Sequence, residues 1–219
     1  RTDWAALPRR RVASLGGTPH PDGAWAEPLP ACLAPLAAVA ARYLGGAPDQ
    51  ALVNAYETGG GIDPHGDGPL YEPAAVVVSL ESSARLDFHH RGKRRAAVLL
   101  RPRSLVAFSG DAYEAWAHGV PAATEDEVDA LVGNLAAAGA VVGDVVPRAA
   151  TRLSITFRRL KRVARRLDAV DLSLLSESDR LELERRKSWW TRSIAEKAPK
   201  KALESKTPEV SPDSVVRSI

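Results

Sequence analysis

At 219 residues, 45% of them hydrophobic, the chain can bury a sizeable core, which excludes a wholly disordered polymer and favours one domain with appendages. No apolar run approaches the roughly 18 residues of a membrane-crossing helix, so no membrane partner is expected, and the lone Cys32 excludes an internal disulfide. The net charge of +3 hides an asymmetry: residues 159–219 hold 15 Lys/Arg against 10 Asp/Glu (+5), leaving 15 against 17 (−2) for residues 1–158.

In chain order, the Gly- and Pro-rich opening to Pro30, with Trp4 and Trp25, reads as irregular backbone pinned by aromatic anchors. Leu33, Leu36, Ala40 and Leu44 recur near helical spacing, predicting an amphipathic helix over Ala31–Leu44 that Gly45-Gly46 ends. Cys32, among Leu33, Leu36 and Ala37, is expected to be a small buried residue. Strand-like runs follow at Ala51–Tyr56, Ile62–Asp67, Ala74–Leu80, Arg85–Phe88, Ala96–Leu100, Ser104–Phe108, Ala112–Val120 and Arg152–Arg159. Short, regularly spaced strands predict a mostly β fold with supporting helices, of the double-stranded β-helix (jelly-roll) type. Thr124-Glu-Asp-Glu127 has the form of a capping box before Val128, Leu131, Val132 and Leu135, predicting a helix inserted between the last two strands. After Arg162 the chain turns polar. Short helices are expected near Leu167–Leu174 and Ser178–Lys197, and disorder beyond Pro199. The organisation expected is a domain over residues 1–162 and a basic extension over 163–219. With no methionine and Arg1 first, the sequence reads as a trimmed or partial chain, which leaves any targeting peptide out of view.

His65 and Asp67 are two apart, so on extended backbone both side chains leave one face. With His118 on a later strand they make two histidines and a carboxylate, the donor set that leaves open positions on a non-haem Fe(II). A calcium loop starting at Asp63 fails because its twelfth position is Ala74, where a bidentate Glu is needed. Gly59–Gly61 lacks the Lys-Ser/Thr and helix of a phosphate loop and reads as a turn. Arg152-Leu-Ser154-Ile-Thr156-Phe-Arg158 alternates strictly, so two guanidiniums share a face and call for anions if that face is buried. A dicarboxylate fits: one end on the metal, the other on Arg152, with Asn54 and Tyr56 within reach on their own strand.

Taken together, Asn54-x-Tyr56, His65-x-Asp67, His118 and Arg152 through Arg158 resemble the AlkB-type Fe(II)/2-oxoglutarate dioxygenases, and most nearly the eukaryotic subgroup called AlkB homologue six. Arg9-Arg-Arg-Val, Leu-Gly-Gly-Thr-Pro-His-Pro, His65-Gly-Asp67-Gly-Pro-Leu-Tyr71 and Arg103-Ser104-Leu105 extend the likeness over residues 4–162. The resemblance implies Fe(II) on His65, Asp67 and His118, with no catalytic side chain beyond these ligands. It implies 2-oxoglutarate on Arg152, Asn54, Tyr56 and Ser154, with Arg158 bordering its iron-side carboxylate, and O2 as the second cosubstrate. Succinate and CO2 would leave, and an oxidised N-methyl group would be lost as formaldehyde. Two departures matter: Ser154 replaces the Asn of DNA-repair members, and Pro69 replaces the acidic residue that touches the flipped base there.

The substrate expected is methylated or alkylated nucleic acid, DNA or RNA, met by Arg91 and Lys93 through Arg95 on a hairpin and by Tyr71 or Trp25 as an aromatic surface. Alternatives are a protein side-chain hydroxylase or demethylase of the same chemistry, and a non-catalytic nucleic-acid-binding scaffold. A monomer in the cytoplasm and/or nucleus is expected.

Overall fold

The computed structural model describes residues 4–7, 10–196 and 217–218. Its elements run β1 (Ala5–Leu7), β2 (Arg10–Gly16), β3 (Ala24–Ala26), α1 (Ala34–Leu44), β4 (Gln50–Glu57), β5 (Ile62–His65), β6 (Ala74–Leu80), β7 (Ala84–His90), β8 (Lys93–Leu100) and β9 (Ser104–Ser109). There follow α2 (Asp111–Glu114), β10 (Ala117–Val120), β11 (Glu125–Glu127), α3 (Leu135–Ala138), β12 (Val145–Pro147), β13 (Thr151–Arg158), β14 (Val163–Arg166), α4 (Ala169–Leu174), α5 (Glu177–Glu196) and β15 (Arg217–Ser218). A large sheet ordered β1-β2-β4-β13-β6-β9-β15 faces a smaller one ordered β5-β10-β7-β8, the two-sheet arrangement of a jelly roll.

The continuous apolar run of β6 reflects burial on both faces: Ala75 and Val77 join Leu86, Phe88, Val98 and Phe108 between the sheets, while Val76 and Val78 pack outward. That outer face is covered by α1 through Ala40 and Leu44, which meet Ile155 and Phe157 of β13. A 3-10 turn over Ala31–Leu33 precedes the helix, and Gly45 closes it at φ 69°. In that turn Leu33 points inward, so Cys32 is exposed rather than buried.

Three further expectations are corrected. The opening stretch is not irregular: Arg10–Gly16 is a full strand, paired with β4 from Arg10↔Tyr56 to Gly16↔Gln50. Ala112–Val120 is not one strand but α2 followed by β10, with Gly110 at φ 56° turning the chain between β9 and α2.

The inserted helix is absent as well. Glu125–Glu127 pairs with Val145–Pro147, and only Leu135–Ala138 is helical. Here the backbone groups are used on the open edge of β8 instead of on a helix: the Ala97 N–H donates to the Leu131 carbonyl and the Gly133 N–H to the Ala97 carbonyl. The Asn134 side chain brackets Leu99, accepting from its N–H at 2.8 Å and donating to its carbonyl at 3.0 Å. Val128, Val132 and Val146 are buried against Ala97 and Leu99, so the apolar spacing was a packing signal with a different backbone. An exposed edge is thereby covered.

The short helices expected after Arg162 are present as α4 and α5. The disorder expected beyond Pro199 falls outside the described residues apart from 217–218. Among the described residues no helix is long and apolar enough to cross a membrane.

Replacing Asn134 with Ala leaves both backbone groups of Leu99 unpaired at a buried edge. Asn134→Ala should cost about 1–3 kcal/mol in urea unfolding and speed hydrogen exchange at the Leu99 amide, with distant amides of β4 unaffected.

Candidate metal centre and cosubstrate pocket

The two histidines are cross-strand neighbours. His118 on β10 lies opposite His65 on β5 and opposite Phe88 on β7. Their ring centroids are 4.7 Å apart. The strands approach closely because the next residue is Gly119: a Cβ there would stand 2.7 Å from the Ile62 carbonyl oxygen and 2.9 Å from the Pro64 nitrogen. Asp67 follows in the loop beyond β5, its side chain only 3% exposed. Ligand atoms of His65, Asp67 and His118 all lie within 4.8 Å of one another.

Electrostatics favour a cation among them. Burial lowers the His118 pKa to about 3, against the pull of Asp67, and burial lowers that of His65 too. Burial alone would raise the Asp67 carboxyl, but the Arg158 guanidinium, with His118 and His65, outweighs it and holds the pKa at about 2. Two neutral imidazoles and an ionised carboxylate therefore converge. His65 Nδ1 lies 2.9 Å from the Asp63 carbonyl, which takes its N–H and leaves Nε2 as a lone-pair donor. His118 Nε2 faces Asp67 Oδ1 at 3.8 Å, with space between two electron-rich atoms that a metal would satisfy.

All four inward residues of β13 are buried: Arg152, Ser154, Thr156 and Arg158 are each 6% exposed or less. Arg158 donates through Nε to Asp67 Oδ2 at 2.9 Å and through Nη2 to Oδ1, and its guanidinium lies 5.0 Å over the Tyr71 ring. Arg152 is held by Ser79 Oγ at 3.2 Å and by the Tyr56 ring at 5.3 Å, yet its buried Nη1 has no partner among the described residues. A buried guanidinium with a vacant N–H group calls for an anion. The donor set and this orphaned nitrogen fit a metal and a carboxylate cosubstrate. Asn54 lies on the same inward face of β4 as Tyr56 and accepts from Arg10 Nε at 3.1 Å.

Other expected residues are placed differently. Tyr71 is buried, its phenol meeting Gln50 and Trp190 of α5, so it presents no open stacking face. Trp25 lies between the guanidiniums of Arg165 and Arg186, at 5.0 and 5.5 Å, and is taken up in docking the C-terminal helices. Arg91 and Lys93 are exposed at the β7–β8 turn, whereas Arg94 is engaged by Asp87 and Asp129. Residues that sequence reasoning passed over are Arg10, Ser79, Tyr113 and Arg148. Arg148 lines the same small cavity as Tyr56 and Arg152 and pairs with buried Asp126 at 2.5 Å.

A family model of the 2OG-Fe(II) oxygenase superfamily matches residues 3–158, a span ending on Arg158. The chain belongs to that superfamily. This oxygenase uses Fe(II), 2-oxoglutarate and O2. It is similar to the probable RNA/DNA demethylase ALKBH6 of Danio rerio, 34% identical over 179 residues, which are 74% of this chain and 76% of that one. It is also similar to the tRNA (carboxymethyluridine(34)-5-O)-methyltransferase alkbh8 of Xenopus tropicalis, 30% identical over 64% of this chain but only 22% of that one. The solved structure of OsALKBH1 aligns with a TM-score of 0.49 at 17% identity, over 72% of the oxygenase and 84% of that chain.

The depressed His118 pKa has a definite sign in stability. Unfolded, the imidazole takes its proton near 6.5; folded, only near about 3, so the unfolded state binds more protons between these values. The metal-free oxygenase should lose stability as pH falls through that window, on the order of 1.4 kcal/mol per unit of pKa difference. Urea unfolding in chelator between pH 7.5 and 4 should show this slope, flattened in His118→Gln.

Proposed function

We propose that this oxygenase oxidatively removes methyl or other small alkyl groups from nucleic acid. The observation that carries the reading is the basic hairpin beside the metal strand. β7 pairs with β10, where Phe88 faces His118, and two residues further along, at His90, the β7–β8 turn begins. At about 3.3 Å per residue, exposed Arg91 and Lys93 stand roughly 7–10 Å along the hairpin from the Phe88–Ala96 rung beside His118, and exposed Arg95 is one residue from that rung. That suits phosphates flanking a nucleotide whose base enters the site. His90 packs on Trp116 at 5.3 Å, giving the rim an aromatic surface two residues from His118. The likeness to the Danio rerio protein, a probable RNA/DNA demethylase, supports the same substrate class.

In this reading His65, Asp67 and His118 hold the iron, Arg152 pairs with the distal carboxylate of 2-oxoglutarate, and Tyr56, Asn54 and Ser154 orient that end. Arg158 keeps Asp67 ionised and aimed, and borders the carboxylate on the metal side. Iron with O2 and 2-oxoglutarate supplies oxidation of a substrate C–H bond coupled to release of succinate and CO2. Hydroxylation of an N-methyl carbon gives a hemiaminal; its C–N bond breaks, the nitrogen regains a proton, and formaldehyde leaves.

Anaerobic titration with Fe(II) and 2-oxoglutarate should produce a visible charge-transfer band. His65→Ala should abolish it, and Arg152→Ala should move it to about 10–100-fold higher cosubstrate concentration, the loss of a buried charge-assisted pair. Formaldehyde should form from methylated single-stranded RNA or DNA. Arg91→Glu with Lys93→Glu should weaken binding of that strand and reduce the salt slope by about two. Formaldehyde from methylated peptides alone would transfer the reading to protein substrates.

A further inference from the structure

Tyr113, on α2 between β9 and β10, is 8% exposed, yet its hydroxyl has no hydrogen-bond partner among the described residues. Buried phenols ordinarily find one. Other buried tyrosines do: Tyr71 meets Gln50 and Trp190, and Tyr56 engages Arg152. If packing alone mattered, phenylalanine would serve better, because an unpaired buried hydroxyl only costs stability.

The ring position is fixed. Tyr113 stacks on Phe108 with centroids 6.2 Å apart, and Phe108 lies 4.8 Å from the His118 ring. Among charged groups, the Asp67 carboxylate and the Arg158 guanidinium act most strongly on the hydroxyl, ahead of Tyr71 and Glu114. It thus stands beside the metal site, where the resident groups are already committed: both Asp67 oxygens to Arg158, and the Arg158 guanidinium to Asp67 and the Tyr71 ring.

We propose that the Tyr113 hydroxyl donates a hydrogen bond to the 2-oxo acid end of 2-oxoglutarate, opposite the end held by Arg152. The inference rests on the metal-site reading above. A neutral donor suits the place, because another cation beside Arg158 would repel the metal, whereas a phenol offers a proton without net charge. Burial, with the Asp67 carboxylate adding to it, pushes the phenol pKa up, so the hydroxyl keeps its proton throughout the working range.

The test uses the full chain with Tyr113→Phe, read in three ways. Anaerobic titration of the Fe(II) form should show 2-oxoglutarate binding about three- to tenfold weaker, the worth of one net hydrogen bond, with the charge-transfer band displaced in energy. Arg152→Ala, acting at the far carboxylate, should weaken binding without displacing the band. Co(II) titrated alone should bind parent and Tyr113→Phe equally, and metal-free Tyr113→Phe should melt at or above the parent temperature. Unchanged cosubstrate affinity and band in Tyr113→Phe would overturn the proposal, as would a lowered melting temperature, which would mean a structural partner for the hydroxyl. Normal cosubstrate binding with weakened binding of methylated nucleic acid would also overturn it, assigning the hydroxyl to the substrate. No band in the parent would remove the metal-site reading itself.

Discussion

The buried ion pair between Arg158 and Asp67 is the constraint on which the site depends. His65 and His118 are held by hydrogen-bonded strands, but Asp67 lies beyond the end of β5, where no ladder fixes it. Its carboxylate is positioned by the last residue of β13, a strand of the opposite sheet, through two hydrogen bonds. A carboxylate so buried would otherwise take up a proton and cease to be a good ligand. Removing one member of such a pair typically costs about 3–5 kcal/mol because the other is left buried and bare. One pairing thus sets the ionisation of Asp67 and its direction.

The pair is itself supported from outside the span that the family model matches. Tyr71 lies under Arg158 and meets Gln50 of β4 and Trp190 of α5. The same helix donates from buried Arg186 to the Gly23 carbonyl, pairs Lys187 with Glu27 at 2.8 Å and sets Trp189 against His20 at 5.0 Å. A polar helix with five Lys/Arg and five Asp/Glu thereby becomes part of the packing around the candidate metal centre. Its positive charges are partly spent on backbone and carboxylates, so the charge excess of the C-terminal segment overstates what is left for a polyanion.

What was legible in the sequence was whatever the β period carries directly. Arg152 through Arg158 alternates without exception, so the face shared by its two guanidiniums follows from spacing, whereas the burial of that face was readable only beside the metal-ligand set. His65-x-Asp67 and His118 were readable as a donor set because so few chemistries use that combination. The N-terminal strand was hidden because β2 has no clean alternation: Arg10 and Ser14 turn toward polar partners, Asn54 and Gln50, inside the protein. The insertion misled because its apolar spacing suits a helix equally well. Only the open edge of β8, a tertiary fact, decides where its backbone groups go. Tyr113 carried no periodic signal, since it sits on a single turn of helix inside a run that looked like one strand.

The cross-strand placement of His65 and His118, made possible by Gly119, has a consequence for metal choice. Their separation is set by the main-chain pairing of β5 with β10. A rigid template of two imidazoles and one carboxylate is a poor judge among first-row divalent cations, whose affinities follow the Irving–Williams series more than the wishes of the protein. Occupancy by iron is then a matter of which ion the surroundings supply, and the burden of selecting it falls on the cell's metal traffic instead of on this chain.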